Sequence, residues 1–341
     1  MNSAPDNIGG LFITTYSGAA PSKEFLEFVR RQRPAGVILF ADNCADHEGT
    51  RGTIEEIQGI LDGTALIAVD QEGGRICRVR GVPAEFAPAR EFARAAGQGA
   101  EEREAALQNY RRALGDSLRY LRTLGFNYWL GPVCDLELYK GETALEGRTF
   151  GPDPALAAAF TAASVETAHA CGFVCAAKHA PGLGRVSVDP HFTLGISPMT
   201  IEQFENNDAT PFRAALDAGA DSIMTSHFIC PEFDERPVTF SPAIVKELIK
   251  KRLSETAAVI TDDLEMGALA EFGSAGEVCA RALAAGHDLL LTRSQATAEA
   301  GIAEIRRLLG EGSLGDARVT AALQRVATLR GVAQQRQAAP L

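Results

Sequence analysis

Apolar residues along this chain gather into short continuous runs, separated by longer stretches in which they recur at every third or fourth position. The runs are "LFITT" (11–15), "VILFA" (37–41), "ALIAVD" (65–70), "NYWLGPV" (127–133), "FVCAAKH" (173–179), "SIMTSH" (222–227), "AAVITDD" (257–263) and "DLLLT" (288–292). A short apolar run without alternation reads as a strand covered on both faces, and spacing by three and four reads as one stripe of a helix. Eight such strand-and-helix units predict a single (β/α)8 TIM-type barrel with its active site at the C-terminal face of the strands. Gly36, Gly125, Gly172, Gly219 and Gly286 each fall between a helical stretch and the next run, where a helix C-cap favours glycine. The stretch "RVTAALQRVATLRGVAQQRQ" predicts a final helix on the outside of the ring, and "EERE" (101–104) a solvated helix start. No Pro- or Ser-rich linker divides the chain, so residues 1–341 are read as one domain.

Polar residues add chemistry to that frame. Most runs end in an ionisable or hydrogen-bonding group: Asp42 after the second, Asp70 and Glu72 at the third, Asp135 after the fourth, then Lys178 and His179, Ser226 and His227, Asp262 and Asp263. In a parallel barrel these ends share one rim, where polar groups need not be desolvated without reward. A pocket rich in carboxylates and short of permanent cations fits a polyhydroxylated, uncharged ligand, since carboxylates accept paired hydrogen bonds from neighbouring hydroxyls. The glycine-punctuated stretch "KHAPGLGRVSVDPH" (178–191) brings Asp189 and His191 close in sequence. Side chains two apart in an extended segment share a face, so Asp189 can hold one imidazole nitrogen of His191.

Composition removes several function classes. With 33 Lys plus Arg against 44 Asp plus Glu, the net charge of -11 disfavours nucleic acid and anionic membrane surfaces as partners. The N-terminus "MNSAPDNIGG" has neither the basic nor the apolar region of an export signal. Seven cysteines lie scattered with no CxxC pair, the usage expected of buried thiols in a reducing cytoplasm.

Five of these segments, "ALIAVDQEGGRICRVR", "EGRTFGPDP", "CAAKHAPGLGRVSVDPH", "IMTSH" and "VITDDLEMGA", resemble in order and spacing the bacterial glycoside hydrolase family 3 β-N-acetylhexosaminidases of the NagZ type. The resemblance runs from about Gly9 to about Thr292. It implies a retaining exo-β-N-acetylglucosaminidase of peptidoglycan recycling, cytoplasmic and free of cofactor or metal. It implies Asp262 as nucleophile, His191 as acid/base and Asp189 as the carboxylate that orients it. By the same resemblance Asp70, Arg78, Arg148, Lys178 and His179 bind the sugar, and His227 lines the pocket floor. The expected partner is a small carbohydrate containing N-acetylglucosamine, met by a monomer.

The chain departs from the family pattern at Ala180, where an aromatic is usual, at Leu183, where His is usual, and at Pro190 between Asp189 and His191. Proline removes a backbone donor and biases Asp189 toward extended backbone. β-Glucosidase action and phosphorolysis stay open within the family. Outside it stand a metal-dependent barrel hydrolase using His179, Asp189, His191, His227 and Asp262, and a sugar-binding protein without turnover.

Overall fold

The computed structural model describes residues 7–139, 141 and 144–340. Eight parallel strands make one sheet: β1 (Phe12–Thr14), β2 (Gly36–Leu39), β3 (Leu66–Val69), β4 (Tyr128–Trp129), β5 (Val174–Ala180), β6 (Ser222–Thr225), β7 (Ala258–Ile260) and β8 (Leu290–Leu291). Each pairs with the next in chain order from β1 to β7. β8 pairs with β1 through Phe12↔Leu290, and the Ile260↔Leu289 bridge joins β7 to β8, which closes the barrel. The fourth run yields a strand of only two residues: it ends at Trp129, and Val133 returns only as a single bridge to Lys178.

Helices surround the strands with the expected starts. Asp46 accepts the N–H groups of Glu48 and Gly49, and Asp153 those of Ala155 and Leu156, each satisfying donors that the first helical turn leaves free. The solvated start at "EERE" is the first turn of Ala100–Thr123, where Glu102 caps back onto the Gly99 N–H. Four of the five glycines expected at helix ends are left-handed, with φ of 100° at Gly125, 85° at Gly172, 96° at Gly219 and 131° at Gly286. Gly36 is different. It sits inside β2, where a Cβ would come within 1.8 Å of the Leu66 carbonyl oxygen, and the left-handed cap is Arg33, with φ of 46°.

The barrel interior is filled by Ile38, Leu66, Tyr128, Val174, Met224 and Ile260, with smaller neighbours. Val326, Leu329 and Ala333 of the last helix, Asp316–Ala338, belong to the same cluster. This corrects the expectation of an outer-ring helix: the helix closes the N-terminal end of the barrel, because part of its apolar stripe meets the strand starts. Arginines fix it there. Arg318 reaches Asp288 at 2.8 Å, Arg330 Nε donates to the Thr64 carbonyl at 2.8 Å, and Arg336 reaches both oxygens of Asp221 at 2.8 and 2.7 Å. All seven cysteines are buried and unpaired. Among the described residues no helix is long and apolar enough to cross a membrane.

Candidate active site

Beyond the C-terminal ends of the strands lies a cavity of about 320 Å³. At the small end of the ~300–1,000 Å³ typical of ligand pockets, it has room for a single sugar ring. Of the residues predicted to act on or bind the sugar, all but Asp189 line it: Asp70, Arg78, Arg148, Lys178, His179, His191 and Asp262. Asp189 stands directly behind His191.

The base of the site is an ion-pair network between β3, β5 and the segment after β4. Lys178, buried at the end of β5, places Nζ 2.6 Å from Asp70 and 2.7 Å from Glu72. Arg148 grips both oxygens of Glu72, at 2.7 and 2.8 Å, and Arg78 stands 3.4 Å from Asp70. Burial alone would raise the Asp70 and Glu72 carboxyls. The cations outweigh it, Lys178 then Arg78 for Asp70 and Arg148 then Lys178 for Glu72, and hold both below the usual carboxylate range. Burial would likewise lower Lys178, but Asp70 and Glu72 leave it raised and charged. Asp70 keeps some exposure at the pocket wall, so its oxygens can also accept from a ligand.

His179 is held from behind. Its Nδ1 lies 2.6 Å from Asp135, which also accepts the His179 and Leu183 backbone N–H groups at 3.1 and 2.7 Å. A short antiparallel hairpin, Gln71–Gly73 with Ile76–Cys77, its connection passing through left-handed Gly73 and Gly74 (φ 87° and 55°), swings the chain from Asp70 back to Arg78. Leu183, where the family usually has His, is buried and supplies an apolar wall.

The loop after β5 carries His191 over the cavity. Its Nδ1 lies 2.6 Å from Asp189 Oδ1, which also accepts the His191 N–H at 2.9 Å. These hydrogen bonds outweigh burial and lower the Asp189 carboxyl, so the carboxylate persists beside the ring. Among the described residues Nε2 of His191 has no internal partner. The loop tip is docked on the segment after β7 by Gly267 N–H to the His191 carbonyl (3.0 Å) and Ala268 N–H to the Pro190 carbonyl (3.2 Å). Asp262, at the end of β7, is bonded through its N–H to the Thr225 carbonyl and faces the same cavity.

Several expectations are corrected. Asp42 is exposed and lines no part of the cavity, because the chain leaves β2 through a short 3-10 turn, Ala41–Asn43, that points it outward. His227 lies fully buried beneath the floor rather than on it, its nitrogens taken by Thr239 (2.7 Å) and the Asp263 carbonyl (2.9 Å); burial lowers its pKa. The pocket is not short of cations, since Arg78, Arg148, Lys178 and Arg293 all line it. The five residues considered as metal ligands do not form a group with converging ligand atoms among the described residues. Among the described residues the one trio with converging ligand atoms is His169, Cys175 and Asp221, at the opposite end of the barrel and bound to Arg336.

Sequence reasoning left four contributors out of the site set. Glu72 and Asp135 were visible as strand-end carboxylates, but nothing in the sequence shows that they clamp Lys178, Arg148 and His179. Phe40 and Arg293 follow β2 and β8 with no motif around them.

Comparison with known proteins is consistent across sequence and structure. Residues 6–329 match the family model described as "Glycosyl hydrolase family 3 N terminal domain". A beta-hexosaminidase of Xanthomonas oryzae pv. oryzae is 32% identical over 314 residues, covering 88% of this chain and 91% of the relative. A solved family 3 beta-N-acetylglucosaminidase from Paenibacillus sp. superposes with a TM-score of 0.89 at 25% identity, covering 98% of this chain; the chain spans 63% of that protein. NagZ from Neisseria gonorrhoeae shares the fold, with a TM-score of 0.80 at 22% identity and 95% and 98% of the two chains covered.

Proposed function

We propose, from the premise that this chain belongs to glycosyl hydrolase family 3 and is a glycoside hydrolase, that it is a retaining exo-β-N-acetylglucosaminidase. It removes terminal β-linked N-acetylglucosamine from peptidoglycan fragments in the cytoplasm. The observation that carries this reading is that His191, backed by Asp189, and Asp262, from segments far apart in the chain, line one sugar-sized cavity.

In the first step the Asp262 carboxylate attacks the anomeric carbon while His191, as imidazolium, gives its Nε2 proton to the departing oxygen. The bond from anomeric carbon to leaving oxygen breaks and a glycosyl ester of Asp262 forms. In the second step neutral His191 takes a proton from water, the water oxygen bonds to the anomeric carbon, and Asp262 departs as carboxylate. Asp189 stabilises the imidazolium and fixes which nitrogen faces the substrate. Asp70, Arg78, Lys178, Arg148 and His179 form a rigid wall of donors and acceptors for ring hydroxyls, and rigidity limits the entropy lost on binding. The names of the beta-hexosaminidase and beta-N-acetylglucosaminidase relatives support the choice of sugar. Buried unpaired cysteines support a reducing compartment.

The test is the anomeric outcome. Proton NMR during hydrolysis of an aryl β-N-acetylglucosaminide should show the β anomer of the free sugar first. The α anomer first, or no turnover of N-acetylated substrate, would overturn the reading.

A further inference from the structure

The cavity holds four permanent cations, and three are paired with carboxylates of its base. Lys178 bridges Asp70 and Glu72, Arg148 forks onto Glu72, and Arg78 leans on Asp70. Arg293 differs: its closest carboxylate contact is Asp263 at 3.9 Å, beyond a hydrogen bond, and its side chain is 57% exposed. Its guanidinium lies over the Phe40 ring, 4.6 Å from the centroid. That contact holds the guanidinium at the cavity wall with no carboxylate within hydrogen-bond distance among the described residues, and a guanidinium so placed can take a carboxylate or phosphate through paired hydrogen bonds.

Position gives this weakly paired cation a purpose. Arg293 lines the sugar cavity and also a neighbouring groove of about 250 Å³ formed with Thr15, Tyr16, Ser22, Phe25 and Ser294. A substrate part leaving the cavity on this side passes over Arg293. Nearby Glu265 is committed to the Ser294 N–H at 2.7 Å and to its hydroxyl. Burial, with the charge of Asp262 added, pushes the Asp263 carboxyl up to about 7, so near neutrality it only partly offsets Arg293.

We infer that Arg293 is a specificity-determining residue that recognises an anion, selecting glycosides that carry a carboxylate or phosphate outside the ring held in the cavity. This inference rests on the glycosidase reading and narrows its substrate class.

Two matched pairs of substrates test it and separate the two sources of charge. One pair is a para-carboxyphenyl against a para-carbamoylphenyl β-N-acetylglucosaminide; the other bears or lacks a phosphate on the sugar's primary hydroxyl. In the unmodified protein at least one anionic member should show a kcat/KM roughly tenfold above its neutral match, the size expected of a half-exposed charge-assisted pair. The ratio should fall to about one in Arg293→Gln, recover in part in Arg293→Lys, and shrink as salt is raised. A ratio near one for both pairs in the unmodified protein, or a preference unchanged in Arg293→Gln, overturns the inference while leaving the glycosidase reading intact. Should Arg293→Gln fail to fold, the salt dependence and the lysine variant decide. Absence of turnover on the neutral N-acetylated glycosides would instead sink the reading on which the inference stands.

Discussion

Asp262 and Asp263 are chain neighbours with opposite surroundings, and the difference divides their duties. Asp262 is half-buried and opens onto the cavity, whereas Asp263 is buried, accepts the Glu265 N–H at 2.9 Å, and has its carboxyl pushed up to about 7. Asp262→Ala should lower kcat by on the order of 10⁴-fold, as loss of a nucleophilic partner does elsewhere, measured with an aryl glycoside. His191→Ala should cost about 10²–10⁴-fold on alkyl leaving groups, which need a proton, and much less on nitrophenolate in a single turnover. Equal losses for both leaving groups would remove His191 as the acid. For Asp263 the sign follows from its raised pKa. The folded state binds a proton that the unfolded chain releases near 3.8, so the stability tied to that proton is complete below about pH 4 and is lost as pH rises through about 7. Asp263→Asn should therefore gain on the unmodified protein as pH climbs across that window and level off above it. The gain, read by urea denaturation, should reach a few kcal/mol at most, about 1.4 kcal/mol per pKa unit before relaxation.

At the scale of elements, the loop that carries His191 is anchored at its start by buried Leu183 and Val186 and by the Arg185–Asp208 pair, while its tip is docked by backbone contacts. Gly267 is the contact point: a Cβ there would lie 2.8 Å from the His191 carbonyl oxygen and 2.9 Å from that of Phe192. Gly267→Ala should push the loop off the cavity and lower kcat/KM by up to about 10²-fold with little change in Tm, since displacement of a catalytic group by about an ångström costs that much. A fall in Tm matching the loss of rate would show instead that the segment after β7 had come apart. The strands themselves were legible because both their faces are buried, which leaves an unbroken apolar run with a polar group at its end. Lys178, His179 and Asp262 were found by that signature. Arg293 and Phe40 were not, because a single residue after a strand carries no periodicity, and only the folded ring brings them together. The glycine rule misread Gly36, since close packing against Leu66 and a left-handed turn leave the same residue in the sequence.

For the whole molecule, the closing helix was legible as a helix but not in its place. An apolar stripe says that a helix must cover something; which surface is still uncovered depends on every other element. Leu329 packs with Val326 and Ala333 against the barrel interior, so Leu329→Ala should cost about 2–5 kcal/mol, seen as a drop in Tm. Asp288 is fully buried between Lys250, at 2.7 Å, and Arg318, at 2.8 Å. Asp288→Ala would strand two cations and should cost roughly 3–5 kcal/mol in chemical denaturation, whereas a substitution at exposed Glu311 should cost almost nothing. Because the segment that seals the barrel follows all eight strands in the chain, a nascent chain halted at residue 315 would have every strand and an uncovered N-terminal end. Such a chain should stay open to protease and bind holdase chaperones, and translation of the helix Asp316–Ala338 should release it, so that closure of the barrel waits on that one helix.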